Sequence, residues 1–258
     1  MALQPPLLAK SDRRLLLREA ARLLENPARR VFLRSALGVG SLALLTGCDI
    51  NDGDSAEQAL RHVSAFNDRV QALLFSPRTL AREYPRSMIT NPFPFNAFYP
   101  EKEAPELNAR DYALEVGGRV SDKRAWTLER LQLLPQTTQV TRHVCIEGWS
   151  AIGEWTGVRF SHFLQLIGAD RHAKYVGFRC ADGYATSIDM PTALHPQTQL
   201  TLRFLGEILP RKYGFPMKLR VPTKLGFKNP KHITEIFVSN ENPGGFWEKY
   251  GYNWFSGL

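Results

Sequence analysis

From residue 111 to residue 240 the sequence is a succession of short β-forming runs, each stopped by Gly, Pro or Asp within a few residues. "DYALEVGGRV" (111–120), "QVTRHVCIEG" (139–148), "AKYVGFRC" (173–180), "YATSIDM" (184–190), "LTLRFLG" (200–206), "MKLRVP" (217–222) and "HITEIFVSN" (232–240) all read as strands. Between them only two helices are predicted, "TLERLQLLP" (127–135), opened by a Thr cap and stopped by Pro135, and "RFSHFLQLIG" (159–168), closed by Gly168. Strands and helices do not alternate as βαβ units. A doubly wound parallel sheet is therefore disfavoured, and a mixed, mostly β, α+β fold with short helices is expected.

Upstream, apolar residues recur at helical spacing over 58–80 (Leu60, Val63, Phe66, Val70, Leu73, Leu74), which predicts one surface helix. Residues 49–57 are polar and read as a tether. "NPFPFNAFYPEKEAPELN" (91–108) is too rich in Pro and aromatics for a regular element and reads as a long pinned loop. The last fifteen residues, "GGFWEKYGYNWFSGL", form an aromatic tail expected to pack on the core or rim a pocket.

The first 47 residues read as an address. Arg29-Arg30 precede Val31, Phe32 and Leu33, and Ala36 to Thr46 carries no charge. That run is too short to span a membrane, which takes about 20 residues, but it suits the apolar part of a signal peptide. The order Arg-Arg-x-Phe-Leu resembles a twin-arginine export signal, and Leu45-Thr46-Gly47-Cys48 resembles a lipobox, in which Cys48 is lipidated. The expected organisation is a signal peptide over 1–47, a tether and N-terminal helix over 48–90, and one main domain over 91–258. The location that follows is the periplasmic side of the cytoplasmic membrane, held by lipid.

Charge points away from nucleic acid. The formal charge is +8, of which residues 1–47 supply +5, and no DNA-binding motif is present. The rest concentrates in 203–231, where Arg203, Arg211, Lys212, Lys218, Arg220, Lys224, Lys228 and Lys231 face the single acid Glu207. Such a strip suits a small polyanionic ligand.

Cys145 is the residue with the most chemistry to explain. Alternation through 142–147 predicts His143, Cys145 and Glu147 on one side of a strand, facing a pocket or solvent, with Val144 and Ile146 in the core. With Cys48 lipidated, only Cys145 and Cys180 are left in an oxidising compartment. A disulfide between them is the plainest reading of the residues alone, in a cofactor-free binding or assembly module. A buried thiol, a nucleophile with a His partner, and a single thiolate on a soft metal stay open beside it. Zinc is disfavoured, since no CxxC or HxxxH occurs.

A resemblance then orders these options. "RHVCIEGWS" resembles the metal-ligand segment of the sulfite oxidase family of molybdopterin-dependent oxidoreductases, nearest to its bacterial methionine sulfoxide reductase branch. "NPFPFNAFYP" resembles that branch's Asn-x-Phe-Tyr cofactor loop. "ALHPQTQLTLRFLGEILPRKYGFPMKLRVPTKLGFKNPKHITEI" follows the family's later half, with Gly-x-Pro-x-basic-Leu, Val-Pro and Gly-Phe-Lys-x-x-Lys in order. The similarity covers about residues 88–240.

The resemblance implies that Cys145 gives its thiolate to molybdenum, whose other ligands come from molybdopterin. Asn96 and Tyr99 are implied at the pterin, and Lys228, Asn229 and Lys231 at its phosphate and edge. Three positions depart from the branch: Cys180 stands where it has threonine, Tyr213 where it has asparagine, and Lys218 where it has arginine. These three are carried as cofactor-contact candidates, and His143 and Glu147 as candidates for the substrate pocket. The implied activity is oxygen-atom transfer on a small substrate, a sulfoxide, an N-oxide or sulfite. Electrons would be exchanged with a separate membrane cytochrome or quinone-linked partner, since no CxxCH haem motif occurs.

Overall fold

In the computed structural model, the structure describes residues 53–76 and 78–258. The signal segment and Cys48 lie outside the described residues. Residues 59–258 form one compact unit. Helix α1 runs Gly53–Leu74, so it starts inside the stretch read as a tether. Among the described residues no helix is long and apolar enough to cross a membrane.

Two five-stranded sheets carry the fold. The first has the order β2 (Trp126–Thr127), β1 (Ala113–Gly118), β10 (Ile233–Ser239), β5 (Tyr175–Cys180) and β6 (Ala185–Asp189). Only its β1–β10 pair is parallel. The second has the order β3 (Gln136–Val144), β4 (Ser150–Arg159), β7 (Gln199–Phe204) and β8 (Glu207–Ile208), with β9 (Lys218–Arg220) also on β7, all antiparallel. This is the mixed, sheet-rich α+β architecture expected.

Three short helices complete it: α2 (Leu128–Gln132), α3 (Phe160–Leu166) and α4 (Met190–Ala193). As the sequence suggests, Thr127 caps α2, its Oγ1 accepting the Arg130 N–H at 3.3 Å. Helix α3 lays Phe160, Phe163 and Leu164 into a core built from both sheets, among Leu114, Val158, Phe178, Leu200, Leu219 and Ile236. A second, smaller cluster of Phe93, Trp155, Phe204 and Tyr213 fills the other face of the β3–β4–β7 sheet.

Strand β4 is the principal element that the sequence pattern hides. It lies between β3 and β7 with nearly every residue buried, so no period of two appears. Gly157 is required there, because a Cβ would meet the Leu200 carbonyl oxygen at 2.0 Å.

Candidate active site

Strand β3 ends at Val144, one residue before the cysteine. Cys145 N–H donates to Trp149 O at 2.9 Å and Gly148 N–H donates to Cys145 O at 3.2 Å, which makes 145–148 the turn of the β3–β4 hairpin. Gly148 takes a φ of 93°, the left-handed region open to glycine. The turn overturns one expectation. His143 and Cys145 are buried on the inward face, but Ile146 is 44% exposed rather than in the core, because strand alternation has already ended. Glu147 is exposed on the same turn, yet its Oε2 returns to 3.6 Å from Cys145 Sγ and accepts Trp149 Nε1–H at 2.9 Å.

Cys145 opens onto a cleft with about 610 Å³ of open space. Asn96, Tyr99, Glu147, Asn229 and Lys231 line it with Cys145, so loops distant in sequence converge there. Tyr99 OH donates to Asp182 Oδ2 at 3.0 Å. Lys231 Nζ donates to Asn96 O and to Lys212 O, fixing the Asn96 loop over the cleft. Asn229 is tied inward: its Oδ1 accepts from Arg220 Nη1 and from Val221 N–H, each at 2.8 Å.

The other expected residues sit elsewhere. His143 lies behind the cleft wall, its Nε2 at 3.3 Å from Asn96 Nδ2. Tyr213 belongs to the aromatic cluster, its OH donating to Phe93 O at 2.5 Å. Lys228 is turned away from the cleft, donating to Ser187 O at 3.0 Å and paired with the Glu248 carboxylate. Cys180 is packed in the main core, where burial pushes its thiol well above the usual range. Cys145 and Cys180 are both free thiols, so the expected alternative with a disulfide between them is not what the chain forms.

The basic strip is not one surface. Arg203, Arg211 and Lys212 stay at or near the surface, the last two paired with Glu106 and Glu101. Lys218, Arg220, Lys224, Lys228 and Lys231 are all buried. Lys218, Arg220 and Lys231 crowd His143, and among the described residues none of the three makes a salt bridge. Burial first, and then these three cations, hold His143 far below its usual range, so the ring is neutral. With Asn96 Nδ2 as donor, Nε2 accepts and the ring proton sits on Nδ1, where it meets no acceptor; Arg220 Nε is orphaned in the same way.

Uncompensated buried cations and unsatisfied donors are costly unless an anion completes them. The donor set therefore fits a phosphate-bearing group with acceptor-rich edges. Gly226, on the cleft, lets the chain pass close to His143: a Cβ there would lie 2.6 Å from Nε2. Among the described residues no three His, Cys, Asp or Glu side chains could together hold a metal. A metal at Cys145 has to arrive with its other ligands.

Comparison with known proteins decides which group that is. Residues 101–247 match the oxidoreductase molybdopterin binding domain family. The chain belongs to this family. It is 59% identical over 254 residues, 98% of its own length and 97% of the relative's, to a protein of Azospira oryzae provisionally named protein-methionine-sulfoxide reductase subunit YedZ1. It is 29% identical over 183 residues to the protein-methionine-sulfoxide reductase catalytic subunit MsrP of Burkholderia mallei, and 31% identical over 177 residues to that of Xanthomonas axonopodis pv. citri. Those matches cover 62% and 59% of this chain and 55% of each MsrP, so the similarity spans about half of those relatives. The sulfane dehydrogenase SoxCD of Paracoccus pantotrophus shares the fold, with a TM-score of 0.51 at 23% identity, over 54% of this chain and 40% of that one. The chain is thus a molybdopterin-dependent oxidoreductase of sulfite oxidase type, and its cofactor is molybdenum bound to molybdopterin.

Several residues of this region have no role assigned from sequence, among them Asp182, Arg220, Gly226, Trp247, Glu248 and the cleft aromatics Phe98, Tyr184 and Phe227. Arg220 was visible only as one charge in the basic strip. Asp182 sits in a turn-forming Ala-Asp-Gly, and Trp247, on the cleft, belongs to the aromatic tail.

Proposed function

We propose that this chain reduces sulfoxides by oxygen-atom transfer, with methionine sulfoxide as the substrate. The observation that carries the reading is Cys145: one buried thiol on a cleft, with no companion protein ligands among the described residues, beside the buried cations Lys218, Arg220 and Lys231, none of them in a salt bridge. The name given to the Azospira relative, similar over nearly its whole length, supports the choice of substrate. So does the cleft wall, where Phe98, Tyr184, Phe227 and Trp247 offer the aromatic surface that suits a sulfur-bearing side chain.

When bound, the molybdenum cofactor supplies two-electron exchange of an oxygen atom. Cys145 would give its sulfur to the metal, and Glu147 Oε2, 3.6 Å from Sγ, would take the thiol proton. Asn96, Tyr99, Asn229 and Lys231, which line the cleft, would hold the pterin and its phosphate. Lys218 and Arg220 lend charge from behind it, and neutral His143 orients Asn96. Electrons come from a separate membrane redox partner. The chain is exported by the twin-arginine route and held by lipid at Cys48, which keeps it beside that partner.

The test is reduction of methionine sulfoxide by the purified holoenzyme with a reduced dye as electron source. Turnover that needs molybdenum and is lost in Cys145→Ser supports the proposal. Molybdenum-loaded protein that oxidises sulfite and leaves sulfoxides untouched would overturn the substrate assignment.

A further inference from the structure

Helix α1 meets the body of the molecule with its polar side. Asp68 Oδ1 accepts from Phe255 N–H at 2.6 Å, and Gln71 Oε1 accepts from Gly257 N–H at 3.2 Å. Phe75, one residue beyond the helix, adds an aromatic contact 5.7 Å from Phe255. The apolar residues at 63, 66, 70, 73 and 74 fall on a different stripe of the helix. Most of that stripe is open: Val63 is 56% exposed, Phe66 64%, Leu73 85% and Leu74 77%, with Val70 half-buried. Arg69 flanks it, and Arg78 and Arg82 follow it, all exposed. A contiguous apolar row of this kind, rimmed by basic residues, marks an interaction face.

We infer that α1 lies in the interface of an anionic phospholipid membrane, with Val63, Phe66, Leu73 and Leu74 among the acyl chains and Arg69 at the headgroups. The inference rests in part on the reading that Cys48 carries lipid. Gly53, where α1 starts, is five residues from Cys48. Such a connection reaches at most about 18 Å, so a lipid at Cys48 brings the start of the helix to the bilayer surface. There the helix meets lipid at a high effective concentration. The basic flank complements anionic headgroups, and the Asp68 carboxylate is directed to the protein side. Anchor and helix are two attachments of different kind, and together they hold the body in one orientation on the membrane.

The experiment uses the protein as cells export it, reconstituted in vesicles of phosphatidylethanolamine and phosphatidylglycerol containing a doxyl-labelled lipid. A fluorophore is placed on Leu73→Cys in one sample and on Ala72→Cys, an exposed neighbour on the other side of the helix, in a second. The fluorophore at 73 is expected to be quenched by the doxyl lipid and shielded from iodide, with the reverse at 72. Equal iodide access at both positions overturns the inference. So does shielding at 73 without doxyl quenching, which would show that protein covers the stripe. Leu73→Glu, at a position too exposed to affect folding, is expected to weaken vesicle binding of unlipidated Cys48→Ser protein about tenfold or more, from the lost burial of one leucine; unchanged binding also overturns the inference. Mass analysis of Cys48 tests the anchor separately: absence of lipid with residue 73 still quenched by doxyl lipid refutes the anchor and leaves the helix assignment standing.

Discussion

Replacing Glu248 with Gln removes the negative half of a buried ion pair and leaves its shape. Lys228 and Glu248 side chains are 1% and 8% exposed, and the ammonium is held by Glu248 Oε1, Ser187 O and Thr186 Oγ1. All three of its N–H donors are therefore used. Burial pulls the Lys228 ammonium below its usual range, and Glu248 is the main influence pulling it back up. In Glu248→Gln the burial is unopposed by charge, although the amide oxygen still accepts one hydrogen bond. Breaking one side of a buried pair costs about 3–5 kcal/mol, and the retained hydrogen bond favours the lower end, about 3 kcal/mol. In a chain of this size that lowers Tm by about 6–12 °C. The assay is thermal and urea unfolding of wild type and variant at equal cofactor occupancy, since bound cofactor raises stability by itself. The double variant Lys228→Met/Glu248→Gln, which no longer buries an unpaired ammonium, is expected to recover much of the loss. A loss below about 1 kcal/mol in Glu248→Gln, or additive effects in the double variant, would refute the claim that Lys228 serves the tail rather than the cofactor.

Two further perturbations test other parts of the site's support. Burial pushes the Lys224 ammonium down to about 7 from 10.5, against a pull upward from Asp189 at 3.7 Å. Between pH 7 and 10.5 the unfolded chain binds more protons at this group, so it makes stability rise with pH, by at most about 1.4 kcal/mol per unit. Urea unfolding across this window should show that rise in wild type and a flatter profile in Lys224→Met; identical profiles would exclude the assignment. Gly226→Ala places a Cβ 2.6 Å from His143 Nε2 and 3.2 Å from Val144 O. Shifting a fully packed imidazole is expected to cost about 1–3 kcal/mol and to lower cofactor content, both read on purified protein.

The sequence makes the fold class legible because β1, β3 and β10 largely alternate buried with less buried residues, and β5, β6, β7 and β9 stop at Gly or Pro within three residues. Strand β4 escapes because it is central and buried on both faces, so only Gly157, needed for close approach to β7, and Gly153, packed under Phe93 and Trp155, interrupt an unpatterned run. Cys145 was legible as the site's centre through the ordered motifs around it, but the side-chain directions were not. Alternation carried through 147 ignored the turn that begins at the cysteine itself. The basic strip shows the same limit. Charge counts cannot tell that Lys228 is neutralised by Glu248 in the tail, that Asp182 and Glu101 act on Lys231, and that no carboxylate acts on Lys218 or Arg220 among the described residues. That distinction depends on a contact across twenty residues of chain, and it decides which cations are left for a phosphate.

The central claim is that Cys145 is the protein's ligand to molybdenum. X-ray absorption at the molybdenum edge counts sulfur neighbours directly, on wild type and on Cys145→Ser matched for metal content. With Cys145 as ligand, the variant shows one sulfur neighbour fewer, with the dithiolene sulfurs of the cofactor retained. An unchanged sulfur count would contradict it.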